Sequence, residues 1–290
     1  MARIAPFRGL RYNPELIKDL SLVVAPPYDV ISSDGQRLLH ARHDQNVIRL
    51  ILGESLDGDD AERNRYSRAA DYFSRWQAER VLVRDPVPAL YLYQQTFRLS
   101  GGEELTRNAV IGLLHLEELD GGSVLPHERT ISGPKEDRLR LMQSCSANLS
   151  PIFGVYPGTP PGLDRLLAAK EAKPAIDLLD SDGVRQRVWI CQDRSMIRSL
   201  QRGFERTPIL IADGHHRYET ALAFREIMRA RDRGDPALVD LRPYNYIMMA
   251  LVGADDPGLV ILPIHRLLRY LPGGNLTAYL AHVAPRFTAE

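Results

Sequence analysis

The residues best suited to chemistry fall in three clusters. Asp213-Gly214-His215-His216-Arg217 puts a carboxylate, two imidazoles and a guanidinium side by side. His127-Glu128-Arg129-Thr130 places an imidazole next to a carboxylate, and Lys135, Asp137 and Arg138 follow within a few residues. Moving a phosphoryl group needs an anion cradle, cations to neutralise charge and a base to orient the nucleophile. The 213–217 cluster suits the cradle and Glu128 suits the base. Lys135 or Arg138 suits a phosphate or a substrate carboxylate. Asp213 suits either Mg²⁺ or a helix cap. A zinc role for His215 and His216 is not expected, because no further ligands stand at zinc spacing.

Each residue also has a plainer reading. Lys135 and Arg138 could be solvated helix charges, Glu128 a surface glutamate, and Arg225 a snorkelling side chain inside an apolar stripe.

The elements that must position these groups are legible in outline. Ile209-Leu210-Ile211-Ala212 is an apolar run with two β-branched residues, which predicts a short buried strand. Asp213-Gly214 breaks it. From His215 onward Tyr218, Ala221, Leu222, Phe224 and Met228 recur at helical spacing. The 213–217 cluster therefore sits at the first turn of a helix that follows a strand. There, unpaired N–H groups and the positive dipole end favour anions.

Upstream, the opening forty residues are loop-rich, with Ala25-Pro26-Pro27-Tyr28-Asp29-Val30 extended or turning. Ser32 or Ser33 can cap a helix running to about His43. Asp59 to Arg84 reads as one long amphipathic helix, with Tyr66, Ala69, Ala70, Phe73 and Trp76 inward. Leu90–Leu99 and Ala109–Leu116 read as strands joined at Ser100-Gly101-Gly102-Glu103. A helix follows from Pro134 to about Ser146, then a strand over Ile152–Tyr156. The stretch to Arg185 reads as an irregular insertion with one short helix. Val188–Cys191, Tyr244–Val252 and Leu259–Leu262 are expected strands. Ser195–Phe204 and Leu276 to about Phe287 are expected helices. The last of these stops with no evident cap, as expected of a fragment of something longer.

Composition narrows the class. The chain has 290 residues with 37 basic and 37 acidic side chains, for a formal net charge of zero. That balance argues against a nucleic-acid coat or a membrane-surface protein. Its two cysteines, Cys145 and Cys191, form no C-x-x-C pair, so a reducing cytoplasm is the expected compartment. No apolar run reaches the length of a membrane span, and the longest, Tyr244 to Val252, contains Asn245.

Taken together, these motifs resemble a bacterial and archaeal family, domain of unknown function ten-fifteen. The resemblance is carried by Asp213-Gly214-His215-His216-Arg217-Tyr218-Glu219-Thr220-Ala221-Leu222 and by Ala25-Pro26-Pro27-Tyr28-Asp29-Val30. Pro126-His127-Glu128 with Thr130, Asp137-Arg138-Leu139, and Asn148 with Ser150-Pro151-Ile152 add to it. It covers essentially the whole chain. The 213–217 turn also resembles the box shared by ParB-type nucleotide-binding proteins, sulfiredoxins and free-serine kinases.

That wider resemblance implies an α+β fold. Residues 105–272 would form a ParB/serine-kinase-like mixed core, 1–104 an additional N-terminal α/β region, and 273–290 the start of a C-terminal helical region. It implies ADP or ATP with Mg²⁺ as cofactor and a small hydroxylated metabolite such as free serine as acceptor. Glu128 would match the catalytic carboxylate, and Gly214, His215, His216 and Arg217 the phosphate-binding turn with Asp213. His127, Lys135 and Arg138 are the remaining candidate contacts. The implied partners are a small-molecule substrate and a nucleotide, without nucleic acid or membrane; the oligomeric state stays open. Two departures matter. The spacing from Glu128 to Asp213 is longer than in compact kinases. The turn also lacks the cysteine that sulfiredoxin chemistry needs. The alternative expectation is a ParB-like nucleotide-binding or nucleotide-hydrolysing switch, or an interaction protein without phosphotransfer.

Overall fold

The computed structural model describes residues 2–99, 101–119, 121–128, 132–262, 270–271 and 274–286. The chain divides into two compact units, Met1–Leu259 and Val260–Glu290. In the first unit the strands are β1 (Ile4–Ala5), β2 (Leu10–Tyr12), β3 (Leu82–Arg84), β4 (Leu90–Arg98), β5 (Glu104–His115) and β6 (Val124–Leu125). They continue with β7 (Ile152–Tyr156), β8 (Ile176–Leu179), β9 (Arg185–Cys191), β10 (Ile209–Asp213) and β11 (Tyr246–Gly253). The helices are α1 (Ser33–Arg42), α2 (Ile48–Ile51), α3 (Arg65–Ala78), α4 (Ser132–Cys145), α5 (Leu163–Leu167), α6 (Arg194–Phe204) and α7 (His215–Arg231). The second unit contains α8 (Leu276–Val283), capped by the Asn275 side chain, which accepts from the Ala278 amide. Phe287, the expected end of this helix, lies outside the described residues.

The fold is α+β, built on a mixed sheet that among the described residues has nine strands, eight of them in the order β6-β10-β7-β11-β5-β4-β9-β8. β1 pairs with β5 at Leu113 and Leu114, beyond the point where β4 begins. β11 lies between β5 and β7, and Ile247, Met249, Leu251 and Val252 are almost wholly buried. Ile247, Met249 and Leu251 join Leu90, Leu92, Leu114, Ile152, Ile209 and Ile211 in the main core, and Val252 packs with Ala109 and Ala250 in a smaller cluster. A separate cluster around Ile48, Leu50, Trp76 and Val23 holds the N-terminal helices together.

The expected hairpin is present, with Gly102 at φ +84, and its strands pair from Arg98↔Glu104 to Tyr91↔Ile111; Ser100 lies outside the described residues. The division anticipated at 104/105 runs through this hairpin.

Several elements differ from expectation for identifiable reasons. The helix expected over 59–84 is confined to Arg65–Ala78. Asp60 folds back to accept the Glu62 and Arg63 amides, which holds the preceding segment in a turn. Asn64 then opens the helix with a capping box shared with Ser67. Arg80, at φ +60, ends the turn after the helix, and Leu82–Arg84 pairs with β2. The stretch expected to be irregular contains β8, which extends the sheet beyond β9 and carries Asp177 against Arg185. Leu259–Leu262 is not a strand. Asp256 closes a turn onto Gly258 and Leu259, and both edges of β11 are already taken by β5 and β7. Arg225 does not snorkel: it is buried, donates to the Leu116 carbonyl and pairs with Glu118 and Glu226. Among the described residues no helix is long and apolar enough to cross a membrane.

Candidate functional site

Sheet topology explains why residues far apart in sequence meet. β6 and β10 are parallel neighbours, in register at Ile209↔Val124 and Leu210↔Leu125. Their carboxyl ends leave the sheet on the same side. β6 runs on into His127-Glu128, and β10 runs on into Gly214-His215. β7 is antiparallel to β10, so its amino-terminal approach, Ser150-Pro151, arrives at that same edge. Ligand sites in open sheets with parallel strands commonly form outside the carboxyl ends of those strands.

The turn itself is built around Gly214. It is the residue preceding α7, at φ +96 in the left-handed region, and no side chain caps the helix. Asp213 is therefore not the cap. Its carboxylate instead accepts from Arg217 Nη2 at 2.5 Å. Arg217 also donates through Nη1 to the Pro151 carbonyl at 2.5 Å, tying the turn to the start of β7. A Cβ on Gly214 would stand 3.0 Å from Arg217 Nε and Nη2, so glycine is required both for the backbone angle and for this approach. The first turn of α7 thus begins at a dipole-positive end without a side-chain cap.

His215 is 2% exposed. Its Nε2 accepts from the His127 amide at 3.3 Å, and the two imidazoles meet edge to face with centroids 4.5 Å apart. His127 Nδ1 lies 2.6 Å from the Ile211 carbonyl and donates to it. Glu128 Oε1 approaches His215 Nδ1 to 3.0 Å, but off the direction in which a hydrogen bond forms. Nδ1 is therefore buried without a hydrogen-bond partner. Burial pushes the His215 imidazole below its ordinary pKa, with Glu128 opposing. Asn148 Oδ1, two residues before Ser150, is likewise buried and without a partner.

The structure thus brings together His127, Glu128, Asp213, Gly214, His215 and Arg217, with His216 half-buried on the same helical turn. Arg129 and Thr130 lie outside the described residues. The other two candidates are engaged elsewhere. Lys135 Nζ pairs with Glu219 Oε2 at 2.6 Å between α4 and α7. Arg138 is buried; it donates to Asp137 and to the Ile51 carbonyl, and lies 3.9 Å from the Tyr28 ring centroid. Asp137 also accepts from Tyr66 Oη and Arg65 Nη2. Burial would raise the Asp137 carboxyl, yet Arg138, Tyr66 and Arg65 together hold it below its usual range.

Tyr28, in the proline-bounded turn, lies under Arg138, whose Cζ is 3.9 Å from the ring centroid. Burial raises the pKa of the Tyr28 hydroxyl, against the charges of Arg138 and Arg217. Both cysteines are buried and free. Burial pushes the Cys145 thiol up to about 11 and raises Cys191, so neither offers a thiolate nucleophile.

The sequence pattern of one family, described as "Protein of unknown function (DUF1015)", matches residues 4–290. The chain belongs to the DUF1015 family. No curated protein and no solved structure matches it. The motifs that carry the DUF1015 resemblance lie far apart in sequence, yet three of them converge here. The 213–217 turn touches Pro151 and Ser150 directly and has His127-Glu128 on its flank.

Proposed function

We propose that this site transfers a phosphoryl group from ADP or ATP to a small hydroxylated metabolite, with free serine the leading acceptor. The observation that carries the reading is the placement of Glu128, 3.0 Å from the first residue of an uncapped helix. A base and an anion cradle stand side by side. The first-turn amides of α7, with His216 and Arg217, would hold the nucleotide phosphates. Glu128 would take the proton of the acceptor hydroxyl as its oxygen attacks the terminal phosphorus. The bond from that phosphorus to the nucleotide's bridging oxygen breaks, and the shortened nucleotide leaves. Asp213, with one oxygen held by Arg217, would hold Mg²⁺ together with the phosphates, and the ion would neutralise their charge. The rest of the reading follows the same resemblance: a ParB/serine-kinase-like core and a cytoplasmic setting, which suits two free buried thiols.

The test is incubation with ADP or ATP, Mg²⁺ and a panel of hydroxy amino acids, followed by mass detection of phosphorylated product. Product formation that Glu128→Gln lowers by about a hundredfold or more supports the reading. An equally active Glu128→Gln contradicts it. Tight nucleotide binding with no acceptor phosphorylated would replace it with a ParB-like nucleotide switch.

A further inference from the structure

We infer that His127, Glu128 and His215 form a binding site for a first-row divalent transition ion, distinct from the Mg²⁺ that accompanies a nucleotide. One ligand atom from each of the three residues lies within 4.8 Å of the other two. A buried imidazole nitrogen normally has a hydrogen-bond partner. His215 Nδ1 has none, although it faces a carboxylate oxygen 3.0 Å away. That separation suits two donors around one ion, each about 2.0–2.2 Å from it.

The second imidazole is already oriented as a ligand. His127 donates Nδ1–H to the Ile211 carbonyl at 2.6 Å, which fixes the tautomer and leaves Nε2 to coordinate. Two imidazoles and one carboxylate favour zinc, manganese or iron over magnesium or calcium, which prefer all-oxygen shells. Glu128 is 53% exposed and gives the ion its way in, with positions left for water or a substrate oxygen.

Loading moves the His215 proton from Nδ1 to Nε2 and gives up the long contact from the His127 amide. Only one Glu128 oxygen is needed, so the other stays available as a base. The site requires no nucleotide, and its failure would leave the phosphotransfer reading standing. This ion site could not be anticipated from spacing, because His127 follows β6 and His215 opens α7, 88 residues apart.

The experiment is a titration of chelator-stripped, nucleotide-free protein with Co²⁺ and Zn²⁺, followed by visible absorption and calorimetry. The expected result is one equivalent of Co²⁺ with ligand-field bands, no thiolate charge-transfer band, and displacement by Zn²⁺ but not by Mg²⁺. His127→Gln and Glu128→Gln, with circular dichroism confirming their fold, should each weaken binding by about tenfold to a hundredfold. His215→Asn should do the same. No stoichiometric binding overturns the inference. So does binding that both His127→Gln and Glu128→Gln leave unchanged, or a spectrum showing thiolate ligation.

Discussion

Two helices follow sheet strands through an aspartate, and they begin in opposite ways. At α6, Asp193 is the cap, and its carboxylate accepts from the Ser195 and Met196 amides. At α7, Asp213 is one residue too early. Gly214 takes the cap position, the carboxylate turns to Arg217, and no side chain caps the helix. A single inserted glycine separates a closed helix end from an open one. The closed end stabilises structure; the other, with Glu128 and His127 beside it, is the end that the phosphotransfer proposal assigns to the nucleotide.

The largest effect that would sharpen this contrast lies at Glu128. Under the phosphotransfer proposal, Glu128→Gln should lower turnover by about 10²–10⁴-fold while thermal stability stays near wild type, measured by product mass and by calorimetry. Gly214→Ala comes next. It forces a Cβ into the left-handed region against Arg217, and should cost about 1–3 kcal/mol in chemical denaturation as well as the response to nucleotide. Asp193→Ala should do the reverse: the thermal midpoint falls by roughly 2–4 °C, with nucleotide response intact.

The same contrast has a pH signature. The Met196 amide, then Ser195, hold the Asp193 carboxyl down to about 2, against an ordinary value of 3.8. A carboxyl depressed on folding adds stability above its unfolded pKa and loses it as pH falls through the folded value. The Asp193 contribution should therefore fade between pH 4 and pH 2, and Asp193→Ala should flatten the stability profile in that window. Asp213→Asn should have the smallest effect on stability, because its pair with Arg217 is more than half exposed on the carboxylate side. A large loss there would mean that α7 depends on Asp213 as α6 depends on Asp193, and the comparison would fail.

What could be read from the sequence follows from how local each signal is. The β10–α7 unit was legible because an apolar run, a glycine and a helical stripe are all contiguous. The hairpin at 100–103 was legible for the same reason. The meeting of His127 with His215 was not, because it depends on β6, a strand of only two residues, finding β10 as a parallel neighbour. The buried arginines were missed on similar grounds. Arg138 looks like a solvated charge and Arg225 like a snorkelling one, but Arg138 is satisfied by the Ile51 carbonyl and the adjacent Asp137, and Arg225 by the Leu116 carbonyl, distant Glu118 and adjacent Glu226. The long helix expected at 59–84 failed because Asp60 and Asn64 compete for backbone amides, a local effect that hydrophobic periodicity does not register.

Calorimetric titration of Mg²⁺-ADP and Mg²⁺-ATP into wild type, Gly214→Ala and Asp193→Ala bears most directly on the central claim, that the open end of α7 is a nucleotide-phosphate site. The account predicts saturable binding of at least one nucleotide to wild type and to Asp193→Ala, and its loss in Gly214→Ala. No binding to wild type, or equal affinity in folded Gly214→Ala, would contradict it.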